Sequence, residues 1–146
     1  MNAEPERHRG FAIRDVISFS RKYDPRGKCF GGWPDNILEI YFKFHQQNGS
    51  LCLVEEDEVL VGLGVGFQCD EAELDRHWVP NNRRGDSIYL SDVICKDRRA
   101  LATCLDEVGK RYPDWRSLKI FAHRNGRRKQ LKPELLERAL CYCLAQ

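Results

Sequence analysis

Two side chains, Asp92 and His123, have the chemistry of a proton-transfer site. Asp92 lies in the apolar segment 87–95, and a carboxylate in a core strand needs a partner or a function. His123 ends a second segment, 117–123, in which apolar and polar residues alternate. We predict that both are catalytic and that Asp92 accepts the proton of an attacking amine. The alternatives left open are an arginine partner or a loop-capping role for Asp92, and a structural, partly exposed histidine.

Basic residues collect toward the end of the chain. Residues 50–109 carry 13 acidic and 6 basic side chains, whereas residues 110–138 carry 10 basic and 3 acidic ones. The densest group comprises Arg124, Arg127, Arg128 and Lys129, which surround Asn125. This pattern favours an anionic partner, either a phosphate-bearing molecule or an acidic protein. Nucleic acid ranks lower because the net charge is only +2, and a solvated basic face remains the alternative.

The cysteines indicate free thiols rather than a metal or disulfide framework. There are seven of them, an odd number, and none forms a C-x-x-C pair. We therefore expect no metal site, and Cys29 lacks an identifiable base that would make it a nucleophile. No apolar run approaches the roughly 20 residues of a membrane span, and none follows Met1 as in a secretory signal. These observations predict a cytoplasmic protein without a membrane span.

The elements predict one α/β domain, residues 11–146, after a polar tail at residues 1–10. Hydrophobic periodicity and turn residues give the order β-α-α-β-β-β-α-β-α, a mixed and mainly antiparallel sheet flanked by helices. Its first strand is expected at 11–13, and residues 126–130 are expected to form a basic loop. In the second helix the apolar stripe comprises Ile37, Ile40, Tyr41 and Phe44.

A hairpin at residues 50–69 is the clearest element. Its second strand, 59–67, alternates Gly62, Gly64 and Gly66 with larger apolar residues, so one face is bare backbone. We expect that face to form the open wall of a cleft, or the strand to bend sharply. A cleft there would admit substrate or donor, with strands 59–67 and 87–95 splayed apart.

This order of elements resembles the GNAT acyltransferase superfamily, in which two helices precede an antiparallel hairpin and a β-α-β unit holds the acyl carrier. Strand 59–67 resembles the family's third strand and 87–95 its fourth, which lies beside the acyl thioester. The resemblance implies transfer of an acyl group from acyl-CoA or acyl carrier protein, as cosubstrate, to an amine. The residues expected at the donor are Val93, Ile94, Cys95, Arg98, Arg99, Asn125, Arg127 and Arg128.

Several segments are similar to one branch, the toxin-activating lysine acyltransferases, which use acyl carrier protein and lack the glycine-rich pyrophosphate loop. Residues 96–102 likewise contain no glycine, and Gly32-Trp33-Pro34 resembles that branch's helix entry. Asp92 occupies the position of its catalytic aspartate, whereas Cys29, Phe30 and Gly31 stand where its histidine is expected. The missing glycines and histidine favour an alternative: a non-catalytic GNAT-like adaptor that binds a protein or nucleic acid through its basic C-terminal third.

Overall fold

The computed structural model describes residues 11–24, 27–124 and 127–144. The tail predicted at 1–10 and the predicted donor residue Asn125 lie outside these ranges. The helices are α1 (Ile13–Tyr23), α2 (Asp35–Gln47), α3 (Arg98–Arg111) and α4 (Pro133–Leu144). The strands are β1 (Leu51–Glu56), β2 (Val59–Cys69), β3 (Ser87–Cys95), β4 (Lys119–Arg124) and β5 (Arg127–Leu131). Among the helices in these ranges, none has both the length and the apolar character needed to cross a bilayer.

The five strands form one sheet in the order β1-β2-β3-β4-β5. Neighbouring strands are antiparallel except β3 and β4, which are parallel and joined through α3. A parallel connection needs such a crossover because the chain must return to the same end of the sheet. Asp97 starts α3, since its carboxylate accepts the backbone N–H of Ala100 at 2.9 Å. The predicted mixed, mainly antiparallel sheet with flanking helices is thus confirmed.

Two predicted elements are wrong. The first strand, at 11–13, is absent because the chain enters α1 there: the carboxylate of Asp15 accepts the N–H of Ala12 at 3.0 Å and so caps the first turn. The expected basic loop at 126–130 is instead largely β5, which pairs with β4. The observed order is therefore α-α-β-β-β-α-β-β-α.

Strands β1, β2 and β3 are buried on both faces of the sheet. Alternate residues of β1 show the division, since Leu51 and Leu53 pack with α1 and α2, whereas Cys52 and Val54 pack against α3. Helix α4 packs on α3 and places Leu136 in the core on that second face. Strand β3 is consequently covered on both sides, which explains its apolar sequence around Asp92.

The core-facing side of α2 differs from the predicted stripe. Tyr41 is fully buried as expected, together with Leu38, Phe42 and His45. Ile37 and Ile40 instead lie on the exposed side of the helix. Helix α2 therefore has apolar residues on both its buried and its exposed side. Tyr41 and His45, which can form hydrogen bonds, lie on the buried side.

The glycine face of β2 is closed rather than open. Strands β2 and β3 remain paired from Gly62–Cys95 to Cys69–Ser87, so no cleft separates them. The face is covered by α3 and by β3 side chains: a methyl group on Gly64 would lie 2.8 Å from the Cys104 sulfur, and one on Gly66 2.9 Å from Leu90. The prediction of a substrate-admitting wall is wrong, because the glycines make room for this close packing.

Replacing Gly64 with alanine should lower the free energy of unfolding by about 2 kcal/mol, because Cys104 is fully buried and cannot easily move away from the added methyl group. The measurement is urea denaturation of the wild type and the variant. Adding Cys104→Ala removes the obstructing sulfur, so the double variant should lose less stability than the two single losses added together. Strict additivity would contradict the close contact.

Candidate functional site

The parallel strands β3 and β4 stop pairing part-way along their length. Their ladder ends at Leu90 and Ala122, although β3 continues to Cys95 and β4 to Arg124. At the same point β3 contains a bulge, because Asp92 pairs with Val65 and Leu90 with the next residue of β2, which leaves Ser91 as an extra residue. The end of the ladder and the bulge together make a local opening in an otherwise continuous sheet.

A pocket of about 460 Å³ lies at this opening, on the side of the sheet that carries α1 and α2. Its lining residues are Lys28, Cys29, Trp33, Asp75, His77, Tyr89, Ser91, Asp92, His123 and Arg128. Three residues predicted from the sequence, Asp92, His123 and Arg128, are brought together here. We call this space the Asp92 pocket.

Asp92 is the buried carboxylate of the pocket, with 5 % of its surface exposed. Its Oδ2 accepts hydrogen bonds from the Tyr41 hydroxyl at 2.7 Å and the Ser91 hydroxyl at 3.2 Å. Burial raises the pKa of Asp92, and this effect outweighs the two hydrogen bonds and the charges of His77 and His123, which act in the opposite direction. A carboxylate with a raised pKa is a stronger base than an ordinary aspartate, as proton abstraction requires.

Of the histidines in the described ranges, two lie at the rim of the pocket and one lies in the core. His77 and His123 are exposed, line the Asp92 pocket and lie within electrostatic range of the carboxylate. His45 is fully buried: its Nε2 bonds the carbonyl oxygen of His77 at 2.8 Å and its Nδ1 the Ser50 hydroxyl at 2.9 Å. His45 therefore fixes the backbone that presents His77, while the two rim histidines are accessible to a bound molecule.

Cys29 lines the pocket but is a poor nucleophile as it stands. Burial, followed by the charges of Asp92 and Asp24, raises its pKa to about 12. The side chain is consequently a neutral thiol near neutral pH, whereas the attacking species in cysteine chemistry is the thiolate. The structure thus places Cys29 as a wall residue beside Asp92 rather than as an activated sulfur.

Arg128 closes the opposite wall. Its guanidinium is 3.2 Å from the Asp75 carboxylate and 5.7 Å from the centre of the Phe121 ring. Asp75 also accepts a hydrogen bond from the Tyr89 hydroxyl at 3.3 Å. Because both groups of this ion pair are half exposed, the pair contributes little to stability and can exchange partners with a ligand.

Three predicted donor residues on β3 lie beside the opening. The side chain of Ile94 is buried in the core on the α1 and α2 side, and Val93 packs toward α3. The Lys96 N–H donates to the Val61 oxygen at 2.8 Å, and bonded and non-bonded pairs alternate in an antiparallel ladder. Lys96 therefore forms a hydrogen-bonded pair with Val61, and by the register Val93 and Cys95 fall in non-hydrogen-bonded pairs. The N–H and C=O groups of Val93 and Cys95 consequently point away from β2, toward the side on which β4 has stopped pairing.

The remaining predicted donor residues lie outside the pocket lining. Arg98 and Arg99 form the first turn of α3, where Arg99 approaches Glu56 at 3.4 Å. Arg127 is exposed on β5. These cations are available at the surface, but the structure does not bring them to the Asp92 pocket.

No protein-family model matches the chain, and no curated protein matches it. Within the described ranges, no group of three or more histidine, cysteine or acidic side chains is placed to hold a metal ion. The cysteines whose side chains are described are free thiols; they are Cys29, Cys52, Cys69, Cys95 and Cys104. The geometry of the Asp92 pocket is therefore the basis on which a function can be proposed.

Sequence reasoning missed most of the residues around Asp92. Tyr41 was predicted only as part of an apolar stripe, although it is the closest donor to the carboxylate. His77 and Trp33, whose rings meet edge-on at 5.2 Å, come from segments 44 residues apart by their numbering. The sequence signal that could have led to Trp33 was its position in the Trp33-Pro34 pair, directly before the start of α2.

Proposed function

We propose that the protein is an acyltransferase that moves an acyl group from a CoA or acyl-carrier thioester to an amine. The observation that carries the proposal is the buried Asp92 carboxylate, with its raised pKa, facing a pocket where two parallel strands stop pairing. That combination supplies a base, an opening for a donor and backbone N–H groups beside it. The order of elements from α1 to β4, similar to that of GNAT enzymes, is consistent with the same reading.

The proposed reaction begins with the acyl thioester lying along β3, its carbonyl oxygen near the Val93 N–H. The amine nitrogen attacks the carbonyl carbon and forms a C–N bond, and backbone N–H groups stabilise the charge on oxygen. Asp92 takes a proton from the nitrogen. The C–S bond then breaks, the electron pair leaves with sulfur, and His123 in its protonated form gives a proton to the thiolate. Exchange with solvent afterwards removes the proton from Asp92 and restores the one on His123. The products are an amide and a free thiol, so atoms and charge balance.

The test uses acetyl, octanoyl and palmitoyl groups, each presented on CoA and on acyl carrier protein. A pool of lysine-containing peptides and small amines serves as acceptor, and mass spectrometry detects the acylated products. We expect acylation above the spontaneous rate with at least one donor. Background rates with every donor would contradict the proposal.

The adaptor alternative is supported by β5, an outer strand of the sheet whose residues Arg127 to Gln130 are exposed. A basic edge of this kind can attract an acidic protein. Donor binding separates the two functions, because a donor at a hundredfold excess over its dissociation constant stabilises the fold by about 2.7 kcal/mol. An adaptor without a donor site shows no such stabilisation.

A further inference from the structure

A second pocket, of about 560 Å³, lies where α2 and α3 both end. Its lining residues are Gln47, Asn48, Gly49, Asn81, Arg83, Arg111 and Tyr112. None of them lines the Asp92 pocket, and the volume is within the range that holds small organic ligands, about 300–1,000 Å³. We call this space the two-arginine pocket.

The frame of the two-arginine pocket is held together by hydrogen bonds between its walls. Arg111 donates to the carbonyl oxygens of Gly49 and Leu51 at 3.0 and 2.7 Å, which ties α3 to the chain after α2. The Asn81 amide donates to the Asn48 oxygen at 2.8 Å, and the Tyr112 hydroxyl donates to the Asn81 side-chain oxygen at the same distance. Because these hydrogen bonds hold the walls of the pocket in place before a ligand binds, less conformational entropy is lost on binding.

The charge of this pocket is positive. Its lining includes two arginines and no carboxylate. Burial raises the pKa of Tyr112, and the charges of Arg111 and Arg83 oppose that rise, so both guanidinium groups lie within electrostatic range of one hydroxyl. The ends of α2 and α3 each contribute about half a negative charge. The two guanidinium groups are the charged side chains of the lining, and their charge opposes that of the helix ends.

Arg83 is the group most available to a ligand. Its side chain is exposed, and within the described part of the chain it forms no ion pair with a carboxylate. Arg111, by contrast, is half-buried and already bonded to two carbonyl oxygens. The guanidinium group of Arg83 can therefore turn toward a ligand, while Arg111 contributes its charge from a fixed position.

We propose that the two-arginine pocket binds a small dianion, either a phosphate ester or a dicarboxylate. Both share the chemistry that guanidinium groups recognise, two or more charged oxygens that accept paired hydrogen bonds. The inference is independent of acyl transfer, because the two pockets share no lining residue. It assigns the ends of α2 and α3 as a ligand site separate from the chemistry at Asp92.

The experiment titrates inorganic phosphate, AMP and succinate into the full chain at constant ionic strength set with chloride. Backbone amide chemical shifts report the place of binding and calorimetry the affinity. We expect shifts centred on Gly49 and Asn81 with at least one probe. AMP and phosphate without succinate identify a phosphate site, and succinate alone a dicarboxylate site. Shifts centred on the Asp92 pocket, or no binding of any probe, would overturn the proposal.

Arg83→Gln is the decisive variant and Arg84→Gln its matched control. Both remove one positive charge from an exposed, neighbouring position, but only Arg83 lines the pocket. We expect Arg83→Gln to weaken binding about tenfold, as the loss of a charge-assisted pair predicts, and Arg84→Gln by less than about twofold. Equal weakening in the two variants would mean that the anion follows overall charge, and the site would be rejected.

Discussion

Replacing Asp92 with asparagine is expected to lower the rate of acyl transfer by about 100-fold or more, the usual contribution of a positioned general base. Asparagine has nearly the same shape and keeps an oxygen that can accept the Tyr41 hydroxyl, but it cannot take a proton from an amine. The wild-type rate should rise with pH as Asp92 ionises, through a pKa above its ordinary value. Steady-state kinetics of both proteins across pH test this.

The same substitution separates a catalytic from a structural carboxylate. Because the folded state raises the pKa of Asp92, its native form holds the proton more tightly than the unfolded chain does, and the charged form costs stability as pH rises through that pKa. Asp92→Asn should therefore be no less stable than the wild type at neutral pH while being much slower. Asp106→Asn, the same change on α3 outside the lining of the Asp92 pocket, should leave the rate unaltered. A variant at Asp92 with wild-type kinetics would contradict the mechanism.

The parts of the fold that the sequence predicted are those with local causes. The β1–β2 hairpin, β3 and α3 follow from alternation, turn residues and the cap at Asp97. Strand β5 could not be found in this way, because it is exposed along most of its length and carries Arg127, Arg128 and Lys129 where a strand pattern would show apolar residues. Its strand state depends on backbone pairing with β4, which is a tertiary property.

Within the site, the sequence pointed most clearly to a polar residue in an apolar segment. Asp92 was identifiable because a carboxylate interrupts an apolar strand. Tyr41 was not, since it lies 51 positions away and only the packing of α2 on the sheet brings its hydroxyl to the carboxylate. The glycines of β2 led to the wrong prediction of an open cleft for a related reason. Small residues indicate that another group approaches the strand closely, but they do not tell whether that group is a ligand or a neighbouring helix. Here it is helix α3, through the side chain of Cys104.

His45 should make the protein sensitive to acid. Burial lowers its pKa from 6.5 to about 4 in the folded state. Between these two pH values the unfolded chain binds a proton on His45 that the native state does not. The contribution of His45 to stability is therefore complete above the pKa of the unfolded state and is lost as the pH falls toward the pKa of the folded state. A pKa lowered from 6.5 to about 4 corresponds to about 3 kcal/mol of stability that is lost in full only below the lower value. The raised pKa of Asp92 acts in the opposite direction and reduces the net loss.

His45→Gln isolates the contribution of the histidine. Glutamine does not titrate, and its amide can still donate to the His77 carbonyl, although the stacking of the imidazole on Phe67 is lost. We expect the variant to be less stable than the wild type at neutral pH but to lose about 2 kcal/mol less stability on acidification to about pH 4.5. Asp92 is present in both proteins, so its effect cancels in the comparison. Urea denaturation at neutral pH and at about pH 4.5 measures the difference. Equal losses in the two proteins would show that His45 is protonated without cost, and the rigid support of His77 at the pocket rim would then need another source.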